Sequence, residues 1–261
     1  MTAPAATPAL SEALIRFEGL HKAFGPKVVF DDLSLDVRRG ETLAVIGGSG
    51  AGKSVLLKCL IGLMDPDGGR IIFDGQDLSG YGEREFLPIR RRVAMVFQGS
   101  ALFDSISVGE NIEYPLKEHF PDMPAEQRTA RVARVLNLVN LPGIETMRPS
   151  DLSGGMRRRV GLARAIATEP EVILWDEPTT GLDPISTRTI DELIRSMRAK
   201  LQCTSIVVTH DMQSAFTVSD RIAMLANRHI VQVGTVAEMR TSTVKEVRSF
   251  LDARKGEARL D

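Results

Sequence analysis

Eight consecutive residues constrain this chain more than any other stretch: Gly47-Gly48-Ser49-Gly50-Ala51-Gly52-Lys53-Ser54. They fit the pattern GxxxxGK[ST], and their setting matters more than the pattern. Before them runs Thr42-Leu43-Ala44-Val45-Ile46, a short, nearly all-apolar segment of the kind that forms a buried parallel strand. After them SVLLKCLIGL has a helix pattern, ended by Gly62 and by Asp65-Pro66. A strand that turns on glycines into a helix lets successive backbone N–H groups point inward at an anion. The positive end of the helix adds to that site. The loop therefore predicts phosphate binding, with Lys53 reaching the β- and γ-phosphates of a nucleotide and the Ser54 hydroxyl on Mg²⁺.

Two further segments carry chemistry. VILWDEP, Val172 to Pro178, is a buried-strand run that ends in two adjacent carboxylates. Such a strand end is where an open α/β sheet places its ligands. Asp176 is expected to hold Mg²⁺, directly or through water, opposite Ser54, and Glu177 to position and polarise an attacking water. Read alone, the pair is equally a capped strand end with two solvated acids. In LSGGMRRR, Leu152 to Arg159, a serine and two glycines precede a helix, which makes a second anion-binding helix terminus in one chain. A plain N-cap is the competing reading of that segment taken by itself.

Composition sets limits on function. The chain of 261 residues is 43% hydrophobic and 26% charged with a formal net charge of -1, which makes no electrostatic case for nucleic acid as the main partner. Cys59 and Cys203 lie far apart without CxxC spacing, so neither a disulfide framework nor a zinc site is expected. No apolar run approaches the roughly 20 residues of a membrane-spanning helix. The opening MTAPAATPALSEA reads as a loose tail over 1–12, rather than a signal or transit peptide.

Along the chain, Ile15 to Val45 favours strands, with turns at Gly25-Pro26 and Arg39-Gly40. Residues 70 to 97 hold further strand material, Arg70 to Phe73 before Asp74-Gly75 and Val93 to Phe97 after Arg90-Arg91-Arg92, and a helical block follows. There Val132, Val135, Leu136 and Val139 share one helix face. Another helix follows LSGGM and stops before Pro170. Strands return at 172–175 and 205–209 around a helix from about Ser186 to Lys200. Near the end Val244, Val247 and Leu251 again fall at helical spacing.

The phosphate loop, LSGGM, DEP and His210 stand in the order of ATP-binding-cassette (ABC) ATPases, and the resemblance spans about residues 15 to 235. It implies an α/β P-loop NTPase core of RecA-like type, with an N-terminal antiparallel β subdomain and an inserted α-helical subdomain at about 99–168. The cassette would cover 13–237, with a C-terminal helical extension at 238–261. It also implies a head-to-tail homodimer that holds ATP and Mg²⁺ between subunits. Phe24, Gly47, Gly48, Ser49, Gly50, Ala51, Gly52, Lys53, Ser54 and Val55 would contact ATP from one subunit. Ser153, Gly154, Gly155 and Asp183 of the partner subunit would contact it from the other. Phe24 takes the place of the aromatic that stacks on adenine, where most members have Tyr. Gln98 matches the residue that touches Mg²⁺ and the attacking water, Asp183 the loop crossing the interface, and His210 the contact to the γ-phosphate. Met156 departs from the commoner Gln, at a side chain outside the phosphate contacts.

No sustained heptads lie between 53 and 176, which sets aside the chromosome and repair ATPases with a long coiled coil. One cassette sets aside the two-cassette translation-factor type. A transport motor remains. The string FQGSALFDSISVGENIEYPLKEH, with LSGGM and its basic continuation, resembles the ATPases of MCE-associated, Mla-type phospholipid transport. That resemblance implies transmembrane permease subunits, an MCE-domain lipid-binding protein, in some systems a small STAS-domain protein, and a peripheral place on the cytoplasmic face of the bacterial inner membrane. The C-terminal arm would either pack on the neighbouring subunit or fray. The runner-up substrate class is a polar amino acid or other small solute. In the stretch after Gln98, the segment Leu102–Val108 is expected to line the groove that grips the permease, with Ile106 or Val108 packing the lobe.

Overall fold

The structure, a computed structural model, describes residues 13–257, with side chains through 252. The tail expected over 1–12 and the last part of the C-terminal extension lie outside the described residues. The chain opens with a long hairpin, β1 (Ala13–Phe24) and β2 (Lys27–Arg38), followed by β3 (Thr42–Ile46) and α1 (Lys53–Leu60). Next come β4 (Gly68–Phe73), β5 (Gln76–Asp77), α2 (Glu83–Arg92) and β6 (Val93–Val96). A helical lobe follows: α3 (Val108–His119), α4 (Ala125–Leu138) and α5 (Gly154–Ile166). The chain then returns through β7 (Val172–Asp176), α6 (Pro184–Leu201), β8 (Thr204–Thr209), α7 (Met212–Val218) and β9 (Arg221–Ala226). It ends with β10 (His229–Thr235), α8 (Val236–Arg240) and α9 (Lys245–Glu257).

Two sheets result. The first is antiparallel, in the order β2-β1-β4-β5, and the second has the order β10-β9-β3-β8-β7-β6. Neighbours from β9 to β6 run parallel, while β10 pairs antiparallel with β9 at the edge. The crossovers send the chain over both faces of the second sheet, so its central strands are buried on both sides. Every residue of β3, β7 and β8 is buried accordingly.

Side-chain alternation divides those strands between separate cores. Leu43, Val45, Leu174, Ile206 and Val208 face the first sheet and α1, packing with Phe17, Phe30 and Phe73. Ile173, Trp175 and Val207 point the other way, onto α6 and the helical lobe. Ala44 and Ile46 meet α7 and the C-terminal helices through Met212, Met239 and Val247. The lobe has no core of its own. Val108, Ile112, Leu116, Val135 and Val160 pack in one cluster with the strand residues Val96, Ile173 and Trp175.

The strands expected at 70–73 and 93–97 form as β4 and β6. Other elements go beyond the expectation. α2 fills the stretch between those two strands, where no helix was expected, with Pro88 inside it. Among the described residues, β9 and β10 add strands that the pattern after Thr209 did not suggest. α3 begins at Val108 on a capping box, in which Ser107 Oγ accepts from the Glu110 amide and Glu110 Oε2 accepts from the Ser107 amide.

Candidate active site

The glycine loop crosses from the end of β3 to α1, and the neighbouring strands end beside it. Ile46 of β3 pairs with Thr209 of β8, and Val208 of β8 with Asp176 of β7. Residues just beyond the carboxyl ends of three adjacent strands thus converge on one place, as open parallel sheets arrange their ligand sites. A cleft of about 610 Å³ opens there, lined by Phe24, the loop from Gly48 to Val55, Gln98, Glu177, Thr180 and His210.

The loop's shape is imposed from outside as well as from its own glycines. Gly52 has φ 102°, and a Cβ there would sit 2.4 Å from Val29 Cγ1 and 2.7 Å from Phe30 Cε1. At Gly47 the added atom would meet the Leu225 carbonyl at 2.4 Å. The β2 side chains and the end of β9 therefore hold the backbone in a bare curve that only glycine follows.

Lys53 is only 6% exposed, and its ammonium donates to the carbonyls of Gly47 (3.0 Å) and Gly48 (3.2 Å). It also stands 3.4 Å from Glu177 Oε1. Ser54 Oγ donates to Asp176 Oδ1 at 2.5 Å, so a hydroxyl and a carboxylate meet at the foot of the loop. Glu177 leaves the strand in the left-handed region, φ 49°, which turns its carboxylate away from that of Asp176. Its Oε2 accepts from the Thr180 hydroxyl at 3.0 Å and the His210 amide at 3.3 Å, and lies 2.7 Å from His210 Nδ1.

These residues fit a magnesium–nucleotide ligand. Among the described residues, no group of three or more His, Cys, Asp or Glu side chains is placed to hold a metal unaided. Mg²⁺ characteristically takes one or two protein oxygens and completes its shell with phosphates and water. The Ser54 hydroxyl beside Asp176 offers such hard donors.

Not every expected site residue reaches the cleft. Ser153, Gly154, Gly155 and Asp183 gather elsewhere, at the paired starts of α5 and α6. Ser153 Oγ caps α5 by accepting from the Met156 amide at 3.2 Å. Asp183 caps α6 through the amides of Ile185 (2.9 Å) and Ser186 (3.0 Å). It also accepts from the Ser186 hydroxyl at 2.5 Å, and these bonds hold its acid below the usual carboxylate range. Ser186 joins the two groups, since a Cβ on Gly155 would lie 2.9 Å from its Oγ.

The stretch after Gln98 is held by residues that sequence reasoning did not single out. Asn111 on α3 is fully buried; its Nδ2 donates to the carbonyls of Phe103 (3.0 Å) and Ser107 (2.9 Å), and its Oδ1 accepts from the Phe103 amide at 2.8 Å. Arg158 on α5 donates to the Phe97 carbonyl at 3.4 Å and the Thr180 carbonyl at 2.9 Å, spanning the loops that carry Gln98 and Glu177. Burial pulls the Arg158 guanidinium below its usual range. Val108 is buried in the lobe and Ile106 half-buried, whereas Phe103 remains 44% exposed with its ring centroid 5.2 Å from that of Tyr114. The cleft also holds Lys27 and Phe250, neither of which its local sequence marks.

Residues 30–180 match the family described as ABC transporter. The chain is an ABC transporter ATPase. Like the family it binds ATP with Mg²⁺ and hydrolyses it. A probable ribonucleotide transport ATP-binding protein from Mycobacterium leprae is 41% identical over 92% of this chain and 69% of its own length. The intermembrane phospholipid transport ATP-binding protein MlaF of Haemophilus influenzae is 39% identical, over 95% of this chain and 93% of that protein. A methionine import ATP-binding protein from Mesorhizobium japonicum is 40% identical over 88% of this chain and 63% of its own. Among solved structures, the dimeric cassette MJ0796 bound to ADP and Pi superposes with a TM-score of 0.78 at 29% identity, covering 85% of this chain and 98% of that one. Among the described residues no helix of this cassette is long and apolar enough to cross a membrane.

Proposed function

We propose that this cassette drives an Mla-type phospholipid transporter of the bacterial envelope. The observation that carries this reading is the extent of one similarity: the phospholipid-transport relative is matched over 93% of its length, the methionine importer over 63%. In this reading two copies bind permease subunits on the cytoplasmic face of the inner membrane. An MCE-domain lipid-binding protein stands beyond the membrane, with a STAS-domain protein as a further partner.

Within the cleft, Lys53 moves from its two carbonyls and Glu177 onto the β- and γ-phosphates, where it offsets charge on the transferring group. Ser54 and Asp176 would hold Mg²⁺, with Gln98 lining the same cleft, and the ion would supply further charge neutralisation. Glu177 orients the water for in-line attack, His210 faces the γ-phosphate, and Phe24 stacks on the base. Ser153, Gly154 and Gly155 lie outside their own cleft, so they serve the cleft of a second copy, with Asp183 at the seam. The exposed Phe103–Tyr114 pair begins the permease groove.

A small-solute importer is the second reading, supported by 40% identity to the methionine import protein. Purification of the complex from native membranes separates the two. Co-extracted phospholipid and an MCE-domain partner support the lipid reading. Absence of lipid, with ATPase activity stimulated by a small solute, overturns it.

A further inference from the structure

The C-terminal helix reaches the nucleotide cleft. Val247 on α9 is buried against the end of the second sheet, and Leu251, one turn on, packs beside it. Glu246 Oε1 accepts from Asn227 Nδ2 at 3.1 Å, which seats the helix on the β9–β10 turn, next to where β3 runs into the glycine loop. Phe250 lies at the edge of this apolar stripe. It packs only partly on the core, and its remaining surface forms part of the cleft wall that holds the glycine loop and Phe24.

The chemistry of that wall is uneven. The glycine loop, Lys53 and Ser54 offer amides, an ammonium and a hydroxyl, which suit phosphates. A phenyl ring offers phosphates nothing, whereas its flat apolar face suits a base or the carbon face of a ribose. Phe24 and Phe250 are the aromatic residues of this wall among the described residues, and they come from opposite ends of the chain. We propose that Phe250 is a second aromatic contact for the base–ribose end of ATP, so that the C-terminal helix is part of the nucleotide site. This rests on the nucleotide reading of the cleft.

The test compares ATP with inorganic tripolyphosphate, which keeps the phosphates and lacks base and ribose, by titration calorimetry with Mg²⁺ on the full chain. F250A should raise the Kd for ATP about fivefold or more, while tripolyphosphate binding stays unchanged. F250W should restore ATP affinity. F250L keeps apolar bulk on the core and should still weaken ATP; it carries the test if F250A does not fold. Unchanged ATP affinity in F250L would make Phe250 a packing residue only. Parallel weakening of both ligands would make it a support of the loop, and tighter ATP binding would make it an obstruction. Any of these three overturns the proposal. Failure of the unmodified chain to bind ATP would instead remove the nucleotide reading.

Discussion

Glu177 Oε2 and His210 Nδ1 lie 2.7 Å apart, closing a bridge between the ends of β7 and β8. The same carboxylate faces Lys53 through its other oxygen. A carboxylate that addresses Lys53 and His210 together suits the proposed role of orienting the attacking water. We expect E177Q to lower turnover by roughly 10² or more, the range of general-base contributions, while ATP-bound dimers accumulate. Single-turnover hydrolysis and size-exclusion chromatography check this; wild-type turnover in E177Q would remove Glu177 from that role.

K53A should act earlier in the cycle. The ammonium is buried against two carbonyls and is pre-aimed at the loop's concave side. Its loss is expected to raise the Kd for ATP about ten- to a hundredfold, the worth of a charge-assisted contact. A fluorescent ATP analogue reports that change directly.

Asn111 fixes the course of residues 103–107 from a fully buried position. N111A leaves their polar groups without this partner and should cost about 2 kcal/mol of stability, read by urea unfolding. Faster hydrogen exchange confined to the loop, with ATP affinity retained, would mark the effect as local.

F103D tests the docking role of the exposed ring. Phe103 is 44% exposed, so a carboxylate there meets water in the free subunit and costs the fold little. Nucleotide affinity should survive while co-purification with the permease is lost. Intact association would make the Phe103–Tyr114 pair an ordinary surface feature.

Asp191 on α6 gives a pH signature. Burial pushes its carboxyl up from 3.8 to about 6; the Ser214 hydroxyl opposes that shift and Asp211 adds to it. The folded chain therefore holds this proton over a range in which the unfolded chain has released it. Stability from this group is complete below about pH 4 and is lost as pH rises through about 6. D191N should raise Tm at pH 7.5, with the gain shrinking as pH falls towards 5.

How much the sequence reveals depends on how local each feature's cause is. The glycine loop and DEP are legible because a bare turn and a doubly buried strand end each require particular residue types in a row. α3 is half-legible: the box at Ser107 and Glu110 signals its start, but Leu102, Phe103 and Ile106 ahead of it and Pro115 within it blur the period. α2 hides behind its arginines and Pro88. Asn111, Arg158 and Phe250 escape altogether, since each acts on backbone or cleft brought near only by folding. The Leu102–Val108 segment proves mixed, with Val108 in the core and Phe103 at the surface.

The two carbonyls gripped by Arg158 precede Gln98 and follow Glu177, and the guanidinium rides on the helix that Ser153 begins. Among the described residues it has no carboxylate partner, so those carbonyls are its main anchorage. Mechanically the arrangement is a yoke. A tilt of α5, whether it starts at its serine end or in the helical lobe, pulls on both loops at once. The loops that carry Gln98 and Glu177 thus share one point of attachment, and it sits on the helix whose first turn carries Ser153.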